Sequence, residues 1–265
     1  MSIIKILAII SSGRKKGHTS KIVSLYKQYL EQISANESDL LNFETIFLSD
    51  YSIEYCLGCR KCMDIGEEYC PRKDDLPKIK QKIKEADAVI FASPVYVGDV
   101  SSLMKSLIDR LAYICHRQEF YDKCCLIVAT TNATSLKRTI HTIGAATYSW
   151  GFKTIGTKGF KTSSSNDSRQ TLNERYGRDI YKISKKFYFG IKNKSYLHPS
   201  LISLISFKIQ QKYRANPELS SSIDYNFWSQ KGWTDPNVSF YINHNTKFPK
   251  IIFAVFLSKI ISLIF

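Results

Sequence analysis

Four cysteines carry the most distinctive chemistry in this chain. Cys56, Cys59, Cys62 and Cys70 are spaced C-x2-C-x2-C-x7-C. Thiolates at that spacing can converge from one loop onto a compact inorganic core, and the fourth completes the all-thiolate ligation of a [4Fe–4S] unit. Zinc also takes four thiolates, usually from two separated C-x2-C pairs, and unligated redox-active thiols are the third reading. The cluster leads the three. Cys115, Cys124 and Cys125 stand in apolar, helix- or strand-like stretches, where cysteine behaves as a small core residue. His116 and His141 lack partners at ligand spacing, so neither is assigned a catalytic role.

The second stretch with chemical potential is SSGRKKGHTS, Ser11 to Ser20. An apolar strand running into hydroxyls, a glycine and a helix start offers backbone N–H groups and a helix dipole to a phosphate. Ser12, Thr19 and Ser20 add hydroxyl donors and Arg14 adds charge. The spacing is neither that of a nucleoside-triphosphate loop nor Gly-x-Gly-x-x-Gly, so a single small phosphate suits it best. A plain structural turn is the alternative. In the third stretch, SPVYVGDVSS, Pro94 fixes the chain at a strand end and Gly98 permits close backbone approach. Tyr96 supplies an aromatic face for a planar ring, although aromatic residues more often just pack in cores.

These loops need elements to hold them. Residues 3–10, IIKILAII, AVIFASP up to Pro94, and Cys124–Thr131 are near-continuous apolar runs, the pattern of strands buried on both faces of a parallel sheet. Phe43–Leu48 and Phe152–Gly156 read as further strands. Helices are expected from Thr19 or Ser20 to Ile33, from Asp74 or Asp75 to Ala86, and over Ser101–His116, Leu136–Trp150 and 169–189. Alternating strand and helix marks an open α/β sheet, whose ligands collect beyond the carboxyl ends of the strands. The loops Ser11–Thr19, Pro94–Ser101 and Thr130–Ser135 are therefore expected to share one crevice.

The matching segments SSGRKKGHTSKI, CLGCRKC followed by CPRKDDL, and ADAVIFASPVYVGDVSSLMKSLIDR resemble the NADPH-dependent FMN reductase family of flavodoxin-like proteins, particularly its iron–sulfur flavoprotein branch. The resemblance runs from residue 3 to about residue 160. It implies an α/β fold with a flavodoxin-like, doubly wound, five-stranded parallel sheet holding FMN at the strand carboxyl ends. It also implies that Ser12, Arg14, His18 and Thr19 hold the FMN phosphate. Pro94, Val95, Tyr96, Val97 and Gly98 would border the flavin ring, with Thr131 and Asn132 as further contacts. The family usually has Pro where Gly13 stands and often Asn where His18 stands. The activity implied is electron transfer from NAD(P)H through FMN to a small-molecule or protein acceptor, with a [4Fe–4S] cluster on the four cysteines. No protein acid or base is needed. A non-enzymatic electron carrier or redox sensor is the first rival, and a membrane-associated interaction protein the second.

Composition sets the outer bounds. With 265 residues, 44% hydrophobic and 23% charged, wholesale disorder is excluded and one large domain with an extension is expected. The expected division is a flavodoxin-like domain over 1–189, with its cysteine-rich loop at 51–73, and a mostly helical extension over 190–265. No basic segment precedes Ile3–Ile10, so a signal peptide is not expected. Cysteine usage then points to a reducing, cytoplasmic setting. Charge is uneven: 20 basic and 17 acidic side chains up to residue 150, 18 and 6 after it. No recognisable nucleic-acid module accompanies this charge, which makes nucleic acid an unlikely partner. A homo-oligomer is expected. The stretch Phe248–Phe265 carries only Lys250 and Lys259 as charges. As a helix after Pro249 it is about 24 Å long, short of the roughly 30 Å needed to span a bilayer. Packing on the parent domain or across a dimer is preferred for it, with peripheral membrane contact as the other reading. The aromatic stretch Tyr225–Trp233 is expected to pack in a core rather than cover the flavin.

Overall fold

The computed structural model describes residues 3–162, 167–216, 218, 220 and 222–264. Its centre is formed by the apolar runs seen in the sequence. β1 (Ile3–Ile10) is buried from Ile6 onward, and β3 (Ala88–Tyr96) from Ala88 to Pro94. β5 (Cys124–Thr131) is buried throughout. With β2 (Leu40–Phe47) and β6 (Lys153–Lys161) they make a parallel sheet of order β2-β1-β3-β5-β6. The chain steps from β1 to β2 on one side and returns to place β3 on the other. The switch point therefore lies between β1 and β3, where such sheets open a ligand crevice.

Alternating side chains divide the core into two layers. Ile6, Ala8 and Ile10 pack with α1 (His18–Asn36) and α6 (Arg169–Lys192) on one face. Leu7, Ile9, Val89, Phe91 and Ile127 meet the opposite helices on the other. The cysteine-rich loop contributes one short helical turn, α2 (Lys61–Asp64), and leads into α3 (Leu76–Glu85). α3, α4 (Ser102–Arg110) and α5 (Leu136–Ser149) cover this second face. Cys124 enters the first layer and Cys125 the second, both buried as the apolar context predicts.

Several boundaries differ from the sequence reading. α1 starts on Gly17 as its cap, two to three residues before the hydroxyls expected to cap it. β2 begins at Leu40 because pairing with Ile3 extends the ladder into a partly exposed stretch. β3 continues past Pro94 and folds back onto a two-residue strand, β4 (Asp99–Val100), through pairs Val95–Val100 and Tyr96–Asp99. The helix expected to reach His116 ends at Arg110 and gives way to a 3-10 turn at Ala112–Cys115. β6 runs to Lys161 because it pairs with β5 along its whole length.

The extension is helical, with α7 (Leu201–Arg214), α8 (Ile223–Gln230) and α9 (Phe248–Ile264). Ser200 and Ser222 cap α7 and α8 by accepting the N–H groups of Ser203 and Tyr225 at 3.0 and 3.1 Å. Leu204, Phe207, Trp228, Trp233, Phe240, Tyr241 and Ala254 form a core of their own, against which Tyr121 of the α/β body packs. Trp228 and Trp233 are thus core residues. Among the described residues no helix is long and apolar enough to cross a membrane.

Candidate functional site

The three strand-end loops meet. Ser101 Oγ donates to the Ser11 carbonyl at 2.9 Å and lies 2.8 Å from Ser11 Oγ, tying the first loop to the second. Thr19 Oγ1 and Thr130 Oγ1, 2.7 Å apart, tie the first to the third. Between them opens a crevice of about 240 Å³ lined by Ser12, Arg14, His18, Thr19, Pro94, Val95, Tyr96, Thr130, Thr131, Asn132 and Thr162. Nine of these are residues singled out from the sequence. Thr130 and Thr162 are not among those. Thr162 reaches the rim because its N–H donates to the Thr131 carbonyl at 2.7 Å, an arrangement created by β6 being longer than its apolar pattern suggests.

One end of the crevice is built to receive an anion. The Gly17 cap of α1 provides no side-chain bond to the first turn, so the helix start is not closed by its own chain. Arg14 N–H donates to Ser12 Oγ at 3.2 Å, curling the loop around that hydroxyl. His18 Nε2 is buried and has no hydrogen-bond partner among the described residues. Burial pushes the His18 imidazole below its usual range, Asp167 pulls it up, and Lys21 and Arg14 add to the depression. A buried polar atom without a partner costs free energy unless something else occupies the site.

At the other end the chain turns sharply. Val97 and Gly98 both have positive φ, +48° and +83°, the two-residue turn that joins closely twisted antiparallel strands. Gly98 suits this conformation and valine does not. The Val97 side chain is fully exposed, as is much of Tyr96. Neither Val97 nor Gly98 lines the crevice itself; they stand at the turn beyond Tyr96. Ser20 lies outside it too, one residue further around α1.

The cysteine-rich loop borders a different hollow of about 570 Å³, which Cys56, Cys59, Cys62 and Cys70 all line. Cys56 and Cys59 are exposed and all seven cysteines are free. Burial pushes the Cys62 thiol up, and the neighbouring Cys56, Cys70 and Cys59 sulfurs push it further. A buried ion pair between Arg110 and Asp74 anchors the loop, and Arg110 also lies 3.8 Å from Cys70 Sγ and donates to the Glu54 carbonyl at 3.0 Å. Arg117 holds the other side by donating to the Cys62 carbonyl at 2.5 Å.

The profile of the NADPH-dependent FMN reductase family matches residues 4–167, which is most of the chain. The chain belongs to that family. An iron–sulfur flavoprotein of Archaeoglobus fulgidus is 28% identical over 232 residues, spanning 87% of this chain and 100% of the relative. One from Methanocaldococcus jannaschii is 37% identical over 107 residues, 40% of this chain and 51% of its own. Among solved structures, a flavone reductase superposes with a TM-score of 0.55 at 17% identity, covering 71% of this chain and 63% of that one. That likeness is of fold.

The strand-end crevice fits FMN: it offers an uncapped helix start, the hydroxyls of Ser12 and Thr19, the Arg14 guanidinium and a His18 Nε2 without a partner among the described residues for a phosphate. Beside them Pro94, Val95 and Tyr96 offer a wall for a flat ring. The cysteine-rich loop fits an all-thiolate cluster in donor type and number. In position it does not: among the described residues no three His, Cys, Asp or Glu side chains are gathered to hold a metal ion.

Proposed function

We propose that this FMN reductase family member is a flavin-dependent oxidoreductase that takes electrons from NAD(P)H and passes them to a small-molecule or protein acceptor. The observation that carries this reading is the buried His18 Nε2, without a partner among the described residues, at the open start of α1 in the crevice where three loops converge. Bound there, FMN would supply the hydride chemistry and the ability to release electrons singly or in pairs. The chain's own part is binding and orientation. Ser12 and Thr19 hydroxyls and the first N–H groups of α1 would hold the phosphate, with Arg14 balancing its charge and His18 donating from Nε2. Pro94, Val95 and Tyr96 would flank the ring, and the Val97–Gly98 turn would set the height of that wall.

The iron–sulfur flavoprotein names of the relatives, with the donor type and number of Cys56, Cys59, Cys62 and Cys70, support a [4Fe–4S] cluster at this loop, although the four thiols are not gathered around one point as they stand. The exposure of Cys56 and Cys59 favours a second reading, a flavodoxin-like carrier or redox sensor whose thiols are the switch. Titration of the purified chain with FMN tests the first claim: saturable quenching of flavin fluorescence at one FMN per chain is expected. Ser12→Ala should weaken binding about tenfold, the worth of one hydrogen bond to a charged group. A chain that binds no FMN overturns both readings. Sustained NAD(P)H oxidation with an added acceptor selects the reductase, whereas slow reduction by NAD(P)H with fast reduction by a protein donor selects the carrier.

A further inference from the structure

α9 departs from the rule that a surface helix turns polar residues to water. Its inner face is already occupied, with Ala254 and Ser258 buried against the extension core and α7 alongside. Its outer face should therefore be polar. Instead it shows Ile252, Phe253, Phe256, Ile260 and Leu263, which are 40 to 84% exposed. At 100° per residue these side chains fall within one continuous arc of the helix. Phe248, 72% exposed, lies beside its leading edge.

Among the described residues, the charged side chains that line the groove beside this apolar face are all basic. Lys259 is exposed on α9, and with Lys208 and Lys212 of α7 it borders an open groove of about 730 Å³ between the two helices. The Lys208 ammonium rests on neutral acceptors, including the carbonyls of Pro236 and Val238 at 2.9 and 2.6 Å, and Lys212 reaches the Ser262 carbonyl at 3.3 Å. Asp235 lies near Lys208; it is the last carboxylate in the sequence, and Lys247, Lys250 and Lys259 all follow it.

We propose that α9 is an interfacial helix that lays this face on an anionic phospholipid surface, with Lys212 and Lys259 at the headgroups. An apolar stripe flanked by lysines is the pattern of helices that lie in the plane of a membrane, and among the described residues α9 is not long and apolar enough to cross one. A second copy of the chain fits less well. A two-fold contact through this face would bring both copies' lysines into one interface, with no carboxylate on α9 to compensate.

The test is flotation of the full chain with phosphatidylcholine vesicles, with and without phosphatidylserine. The protein should rise with the anionic vesicles, less so as salt is added, and remain below with phosphatidylcholine alone. Lys212→Gln with Lys259→Gln should weaken anionic binding about thirtyfold, at about 1 kcal/mol per lysine. Phe253→Ser with Phe256→Ser should abolish it while far-ultraviolet circular dichroism and FMN binding stay unchanged, because both side chains are exposed. A wild-type protein that floats with neither vesicle overturns the proposal. So does a wild-type dimer in sedimentation that the phenylalanine variant turns into a monomer without any effect of vesicles.

Discussion

Val97 is strained without visible return. A β-branched residue at φ +48° costs about 1–2 kcal/mol relative to ordinary backbone, and its fully exposed side chain packs on nothing that would offset this. Such strain collects where a ligand is to be met. Val97→Gly is expected to stabilise the FMN-free protein by up to about 1 kcal/mol, since strain relief exceeds the added freedom of glycine in the unfolded chain. It should also weaken FMN binding, because the looser turn no longer fixes the position of Tyr96 at the crevice wall. Urea unfolding and FMN titration check the two halves, and a less stable variant with unchanged affinity would contradict the argument. The crevice residues at 12–19 and 94–96 were legible because each sits where an apolar run breaks into hydroxyl, glycine or proline chemistry. Thr130 lies at the start of the third loop expected there, whereas Thr162 was not legible, because its place depends on how β5 and β6 line up. No local pattern records that alignment.

The cysteine-rich loop is an element held mainly by one buried pair. Burial alone would push the Asp74 carboxyl up, but the Arg110 guanidinium and the N–H groups of Glu54 and Leu76 outweigh it and hold it below the usual range. Asp74→Asn leaves Arg110 buried without its counter-ion, which is expected to cost about 3 kcal/mol. It should also speed maleimide labelling of Cys70, whose sulfur lies beside Arg110. Unfolding curves and labelling rates that match the wild type would remove this loop anchor from the account. The strands were readable for the opposite reason: β1, β3 and β5 are buried on both faces, so their side chains are apolar regardless of partner. Element ends were less so. The β3–β4 hairpin breaks the expectation of a loop after Pro94 because its two ladder pairs use backbone groups. The helix stop at Arg110 coincides with the side chain's reach to Asp74, a partner 36 residues away.

Across the whole molecule, the extension is fastened to the α/β body through Asp224 at the start of α8. It accepts from Arg117 Nη1 at 2.6 Å, pairs with His116 Nδ1 at 2.9 Å and with Arg214 at 3.1 Å, while Trp228 Nε1 donates to the His116 carbonyl at 2.8 Å. Because Arg117 also holds the Cys62 carbonyl, one carboxylate links the extension to both the 3-10 turn and the cysteine-rich loop. Its hydrogen bond to Asp224, with a smaller contribution from Cys115, pushes His116 up to about 9 from the ordinary 6.5. A raised folded value means that the charged ring favours the folded state. The contribution is complete below pH 6.5 and fades as pH rises through about 9. Its size is on the order of 1–2 kcal/mol, less than the full shift implies, because the side chain is partly exposed and two arginines remain on Asp224. Urea unfolding of the wild type should therefore lose that much stability between about pH 6 and about pH 10 relative to His116→Gln. Parallel pH profiles for the two proteins would show that the histidine carries no charge-dependent share of the link, leaving the arginines and Trp228 to hold the extension in place.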